Sequence, residues 1–231
     1  MADLKYSIIL PVYKQEAHIA VIVDGYHKEL SQSPWSYEII CVVNGRQDRS
    51  LDVCQELSRK YPNIKLAHSE QKGWGLAVRL GLKESRGEYI CFTNSSRTQP
   101  DDLIKFLKCS AQNPDHVVKA SRKIRESWQR KLGSLLYNLE CRTFFDLSYW
   151  DINGTPKIFP RKFAELLNLT RDDDLIDLEF LVICRRRNYP LIELPVFAYK
   201  RLGGKSTTDY RTAVRLYTGA LKLWLQNRKL S

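Results

Sequence analysis

The sequence predicts an α/β fold: a mostly parallel sheet flanked by helices, in a single domain that ends in a C-terminal amphipathic helix. Three observations predict it. Short apolar runs alternate with segments of helical period through the first third of the chain. The runs end in turn-forming residues, Pro11, Asn44-Gly45 and Asn94-Ser95. The chain has 231 residues, of which 43% are hydrophobic, which is enough for a sizeable core.

The elements follow in order. Tyr6 to Leu10 is an apolar run closed by Pro11, and helical period follows from about Glu16 to Leu30. Glu38 to Val43 reads as a second strand, Asp48 to Tyr61 as a helix and Ile64 to His68 as a third strand. Gly75 to Ser85 reads as a helix and Tyr89 to Thr93 as a fourth strand. Beyond it, Leu103–Asn113 is a helix candidate and His116–Ala120 a strand. Trp128–Phe145 reads as a long helix, Lys157–Phe159 as a strand and Arg161–Leu167 as a short helix. Asp174–Arg187 is an amphipathic helix, Leu191–Tyr199 a strand and Arg211–Arg228 the last helix. No internal repeat, low-complexity linker or domain boundary is evident.

Lys and Arg number 37 against 26 Asp and Glu, a net charge of +11 that suits an anionic partner or surface. The run Arg185-Arg186-Arg187 has no nucleic-acid-binding motif around it, so no nucleic acid is expected. The six cysteines form no C-x-x-C pair, and several lie inside apolar runs. Reduced, buried thiols in a cytoplasmic protein are therefore expected. The four histidines lack metal-ligand spacing. The apolar run in the opening MADLKYSIILPVY is too short for a signal peptide, and no run of about 18 apolar residues is long enough to span a bilayer.

In a parallel α/β sheet, ligands bind at the carboxyl ends of the strands. Three such ends offer polar groups here: Pro11-Val12-Tyr13, Val43-Asn44-Gly45 and Thr93-Asn94-Ser95. Asn44 can hydrogen-bond a base edge or a ribose. Lys72-Gly73-Trp74-Gly75, just before a helix, can bring backbone N–H groups to a phosphate, although turn punctuation explains such a stretch equally well. The turn after the fourth strand carries Asn94, Ser95 and Ser96, where carboxylates would hold a divalent cation against a diphosphate.

YSIILPVYKQE, EIICVVNGRQD, KGWGLAVRLGLKESRGEYICFTN, DINGTPKIFPRKF and DLEFLVICRRRNYPLIELPVFAYKRLGGKS resemble, in sequence and order, the family 2 glycosyltransferases. The likeness covers roughly residues 5–206 and is greatest to the dolichyl- or polyprenyl-phosphate mannose and glucose synthase branch. It implies a GT-A fold in which a nucleotide-sugar-binding half (about 5–120) merges with an acceptor-binding half (about 121–210), followed by the helix at 211–231. It implies inverting transfer of a hexose from a nucleotide sugar to a polyprenyl phosphate or a glycan precursor. By position, Pro11, Tyr13, Glu16, Asn44, Asp48, Lys72, Gly73, Asn94 and Ser96 fall to the nucleotide sugar. Arg97, Arg122, Arg130, Arg201 and Lys205 fall to phosphates, with Ser134 beside them, and Asp177 and Glu179 are the catalytic acids of the acceptor-side helix. Asp151-Ile152-Asn153-Gly154 resembles the acceptor-side turn.

The departures fall in one place. Positions 43, 94 and 96 lack the acids that the resemblance implies, and Thr98 stands where a third ligand often lies. No resident metal is therefore expected, beyond weak Mg2+ or Mn2+, and arginines stand in for the cation. The alternative is a non-catalytic scaffold or binding subunit that keeps the fold. The C-terminal helix interleaves Val214, Leu216, Tyr217, Leu221, Trp224 and Leu225 with basic residues. It suits peripheral contact with the cytoplasmic face of a membrane or with a membrane protein, and it also suits packing on its own domain.

Overall fold

The computed structural model describes residues 4–45, 47–124, 128–197 and 210–228. Its centre is a seven-stranded sheet in the order β3-β2-β1-β4-β6-β5-β7. The strands are β1 (Tyr6–Val12), β2 (Tyr37–Asn44), β3 (Ile64–Ser69), β4 (Tyr89–Phe92), β5 (Val117–Ile124), β6 (Lys157–Pro160) and β7 (Leu191–Phe197). The helices are α1 (Ile19–Ser31), α2 (Ser50–Lys60), α3 (Trp74–Glu84), α4 (Pro100–Gln112), α5 (Trp128–Phe145), α6 (Ile176–Arg186) and α7 (Tyr210–Arg228).

Every residue of β1 is buried, as expected of a central strand covered by helices on both faces. Its side chains alternate between two cores. Ile8 and Leu10 join Cys41, Cys91, Val23 and Phe106 in a layer with α1, α2 and α4. Ile9 joins Val42, Phe92, Val78, Leu178 and Phe180 in a layer with α3 and α6. All six cysteines are free thiols, and Cys109 alone is not fully buried.

Pro11 lies inside β1, which runs to Val12, two residues beyond the end at Leu10 that the proline ring suggests. The strand tolerates it and keeps its parallel register, with Pro11 opposite Val42. A larger difference lies in β6, which runs antiparallel to both β4 and β5. The reversal brings residues 151–156, which lead into β6, to the edge where β4 ends. On that edge strand order also reverses direction about β1, with β2 on one side and β4 on the other.

The stretch read as a helix at Arg161–Leu167 is a 3-10 turn at Ala164–Leu167. α7 packs beside α5. The Tyr217 hydroxyl donates to the Gly133 carbonyl at 2.6 Å, the Tyr137 and Tyr217 rings meet edge to face, and Phe144 stacks on Trp224 with centroids 4.9 Å apart. Gly219 sits against Leu175, and Ala220 is fully buried. The helix thus turns Tyr217 and Trp224 toward α5. Val214, Leu221 and Leu225 stay exposed.

Candidate functional site at the carboxyl edge

Four segments meet at the carboxyl edge of β1, β2 and β4. Asn44, at the end of β2, is buried. Its amide donates to the Val12 carbonyl at 3.0 Å, and its oxygen accepts from the Gly73 N–H at 3.0 Å. It therefore bolts β1, β2 and the turn before α3 together. Gly45 takes φ +74°, and a β-carbon on it would stand 3.2 Å from both the Tyr13 ring and Lys72. Pro11, Tyr13, Asn44, Lys72 and Gly73 are thus brought together.

Glu16 and Asp48 join the next rank. The Arg49 N–H donates to Glu16 Oε2 at 2.7 Å, and Asp48 accepts from the Glu16 and Ser50 N–H groups at 3.2 and 3.1 Å. The Asp48 carboxyl is held below its ordinary value. Partial burial pushes it up, but hydrogen bonds from Ser50 and the Glu16 amide outweigh that.

Two sequence readings change here. The glycines of Lys72-Gly73-Trp74-Gly75 serve close packing of protein on protein. A β-carbon on Gly73 would lie 2.5 Å from the Asp172 carbonyl, and one on Gly75 would lie 2.3 Å from that of Arg171. The Leu76 N–H donates to the Asp172 carbonyl at 3.0 Å. The Gly73 N–H, within the stretch read for a phosphate, is taken by Asn44, and the Leu76 N–H just beyond that stretch is taken by Asp172. Asn44, read as a base contact, spends one amide hydrogen and one oxygen lone pair on backbone.

The turn after β4 is knitted from neutral groups. The Asn94 side-chain oxygen accepts from the Ser96 N–H and hydroxyl at 3.2 and 2.8 Å. The Ser95 hydroxyl donates to Gln15 at 2.7 Å, and the Thr93 and Thr98 hydroxyls lie 2.6 Å apart. Arg97 extends from the same turn, its N–H donating to the Asn94 carbonyl. Among the described residues no cluster of three His, Cys, Asp or Glu side chains is placed to hold a metal. Neutral amide and hydroxyl oxygens repay little of the dehydration of Mg2+ or Mn2+, so this turn does not fit a tightly held divalent ion.

The side of the sheet read for the acceptor holds buried ion pairs that the sequence pattern did not reveal. Phe92, Lys157, Lys119 and Glu193 stand opposite one another in one row across β4, β6, β5 and β7. Both lysines are fully buried. Lys157 pairs with Asp177 of α6, whose other oxygen accepts from the Trp74 indole N–H at 3.0 Å. The Lys157 ammonium also lies 5.5 Å from the Phe92 ring centroid. Lys119 donates to Glu193 at 2.6 Å and to the Trp150 carbonyl at 2.7 Å. Burial pulls the Lys119 ammonium below the ordinary lysine value, although Glu193 and Asp151 pull it up. The only hint in the sequence was a lysine inside each of two apolar runs, VVKAS and KIFP.

Arg122, read as a phosphate ligand, is gripped by Asp151. Its Nε and Nη2 donate to the two carboxylate oxygens at 2.7 and 2.5 Å, and its backbone N–H donates to Asp151 as well. Asp177 and Glu179, read as the catalytic acids, have separate partners. Two residues apart on one helix, they diverge. Asp177 faces Lys157 and Trp74, while Glu179 accepts from the N–H groups of Thr170 and Arg171. In the turn at Asp151–Gly154, a β-carbon on Gly154 would lie 2.1 Å from the Ala120 carbonyl. Ser134 accepts a hydrogen bond from Asn138 on α5. The Arg130 side chain, Arg201 and Lys205 lie outside the described residues.

Comparisons with known proteins fit this architecture. The chain is 28% identical over 137 residues to the dolichol-phosphate mannosyltransferase of Pyrococcus furiosus, covering 57% of this chain and 38% of that one. It is 27% identical over 212 residues to a dolichyl-phosphate beta-glucosyltransferase of Trichomonas vaginalis, covering 84% and 66%. The chain thus spans between about a third and two thirds of the length of these relatives. Among solved structures, glucosyl-3-phosphoglycerate synthase from Mycobacterium tuberculosis, in complex with Mn2+, UDP and its product, superposes with a TM-score of 0.71 at 15% identity. The match covers 96% of this chain and 80% of that one. That likeness is one of fold, and it establishes the GT-A architecture. Residues 7–166, from the start of β1 through the acceptor-side turn and β6, match the glycosyl transferase family 2 model, and the chain belongs to that family.

Proposed function

We propose that the protein transfers a hexose, with inversion, from a nucleotide sugar to a lipid phosphate. The observation that carries the acceptor class is the state of the carboxylates. Asp48 and Glu179 accept from backbone N–H groups, Asp151 is bound to Arg122, and Asp177 is bound to Lys157 and Trp74. A hydroxyl acceptor, such as a sugar of a glycan precursor, needs a base to take its proton. A phosphate monoester is already ionised and needs none. The names of the relatives, dolichol-phosphate mannosyltransferase and dolichyl-phosphate beta-glucosyltransferase, support the same class.

The acceptor phosphate oxygen attacks the anomeric carbon. The bond from that carbon to the diphosphate breaks, and its electron pair leaves on the nucleoside diphosphate. The donor lies along Pro11–Glu16, Asn44–Asp48 and Lys72–Gly73, with Asn94 and Ser96 beneath it. Lys72, Arg97 and the segment carrying Arg201 and Lys205 neutralise the leaving group in place of a cation, because fixed positive charge aimed at a developing anion lowers the barrier. Asp177 orients Trp74 rather than accepting a proton. A lipid acceptor puts the chain at the cytoplasmic face of a membrane. Among the described residues no helix is long and apolar enough to cross one.

The test is transfer from UDP- and GDP-hexoses to a polyprenyl phosphate in nonionic detergent, with EDTA and with Mn2+. Turnover in EDTA is expected, and calorimetry is expected to show nucleotide binding. Absence of nucleotide binding under every condition would refute the reading. A second reading, a non-catalytic binding subunit, draws on the neutral turn at Asn94–Ser96, whose polar groups already satisfy one another. It requires nucleotide binding or partner binding without turnover. Metal-dependent transfer gained by Asn94→Asp with Ser96→Asp would mark such a silenced site.

A further inference from the structure

An apolar strip leads away from the acceptor side of the cleft. Trp150 is 48% exposed, yet its backbone is rigidly held: its N–H donates to Glu193 and its carbonyl accepts from the buried Lys119. It directly precedes Asp151, the partner of Arg122, and residues 151–156 reach the edge where β4 ends. Its ring lies on the Arg142 guanidinium of α5, 3.9 Å from centroid to carbon. Leu139 and Leu135 stand one and two turns back on the same side of α5 and are 58% and 50% exposed. Tyr137 and Cys141, on the opposite side, are buried. The path from Arg142 to Leu135 is about 10 Å long at 1.5 Å per residue. Scattered exposed leucines need no explanation, but two exposed leucines on one side of α5, in line with an arginine that carries an exposed indole, do.

We propose that Trp150, Leu139 and Leu135 hold the first isoprene units of the acceptor's hydrocarbon chain. The inference rests on the lipid-phosphate reading above. An amphiphile with an anionic head matches the strip in charge and in order: cation and cleft at one end, apolar surface beyond it. The Arg142 guanidinium keeps the indole flat, so one face of the ring is presented to the chain. A bilayer surface and a second copy of the protein are the other occupants such a face admits, and each gives a different result below.

Transfer is measured with a water-soluble ten-carbon prenyl phosphate and with a long polyprenyl phosphate, both in nonionic detergent without vesicles. The wild type is expected to prefer the long acceptor in kcat/KM. Leu139→Ser with Leu135→Ser is expected to lower the ratio of long to short about tenfold, as is Trp150→Ala. Val21→Ser, which exposes a similar change on α1, is expected to keep the wild-type ratio. Binding of each acceptor without donor gives the same comparison independently of turnover. A preference kept by the strip variants would overturn the proposal. So would variants that lose sedimentation with anionic vesicles, or that change from dimer to monomer, while keeping the preference. Absence of transfer to either acceptor by the wild type defeats the lipid-phosphate reading and this inference together. Transfer without chain-length preference defeats this inference alone.

Discussion

Lys157 shows what a single residue does in this protein. An ammonium without exposed surface costs several kcal/mol to desolvate, and Asp177 with two aromatic rings repays it only as a set. Removing one partner strands the other. Lys157→Met is therefore expected to lower the unfolding free energy by about 3–5 kcal/mol, read from the urea midpoint. Lys157→Met with Asp177→Leu is expected to recover most of the loss, because no charge is then left buried and unpaired. If the double variant is as unstable as the single one, the pair is not the source of the effect. The double variant also frees Trp74, so recovered stability with lost transfer would separate folding from positioning. Asp48 makes a different test. Its carboxyl lies below the usual range, so its contribution is full above the unfolded value of about 3.9 and fades as pH falls through the folded one. Asp48→Asn is expected to be less stable than the wild type at pH 7, with the gap narrowing as the pH falls below about 3.9. A gap that persists in acid would assign its role to shape rather than charge. None of these pairings was legible from sequence. A lysine in VVKAS or KIFP breaks an apolar pattern, but its partner is a long-range neighbour that only the antiparallel β6 brings into register.

The elements themselves were legible because local pattern decides them. Alternating apolar runs fixed β1 to β4, and helical period fixed α1 to α4 within a few residues. What stayed hidden was orientation, since periodicity does not say which way a strand runs. Without the reversal of β6, Arg122 and Asp151 were separate candidates, one for phosphate and one for the acceptor turn. The reversal places them on each other. The start of α3 is the second case. Its glycines looked like room for a phosphate, whereas the loop at 171–173 fills that room. Gly75→Ala puts a methyl within 2.6 Å of two carbonyl oxygens, so backbone must move. A loss of about 1–3 kcal/mol is expected, together with weaker nucleotide binding, because the same displacement pulls Gly73 from Asn44. Unchanged stability would mean that the 171–173 loop yields easily. α7 was legible as amphipathic but not in what covers it. Tyr217 and Trp224 lie on α5, which leaves Val214, Leu221 and Leu225 as the exposed large apolar side chains among the described residues of α7.

At the scale of the molecule, the two halves of the chain, read as a donor half and an acceptor half, share one sheet. β4 and β6 pair along four residues from Tyr89–Pro160 to Phe92–Lys157. The core beneath them is continuous: Phe180 of α6 meets Phe92 of β4 and Phe159 of β6 edge to face, at 5.6 Å each. No linker separates the halves, and the Asp177–Trp74 bond ties α6 to the start of α3. Two halves joined in this way cannot unfold independently, because opening either one exposes half of a shared core and strands the row of buried charges. The whole chain is therefore expected to unfold in a single transition, with far-UV and near-UV signals coincident in urea. A nucleotide that binds only the donor half should raise the midpoint of both signals together, since stabilisation by a ligand passes to the whole cooperative unit. Two separated transitions, or a ligand that shifts one signal alone, would show that the halves are distinct domains. In that event, the coupling of Lys157 through Asp177 to Trp74 at the start of α3 would fail with them.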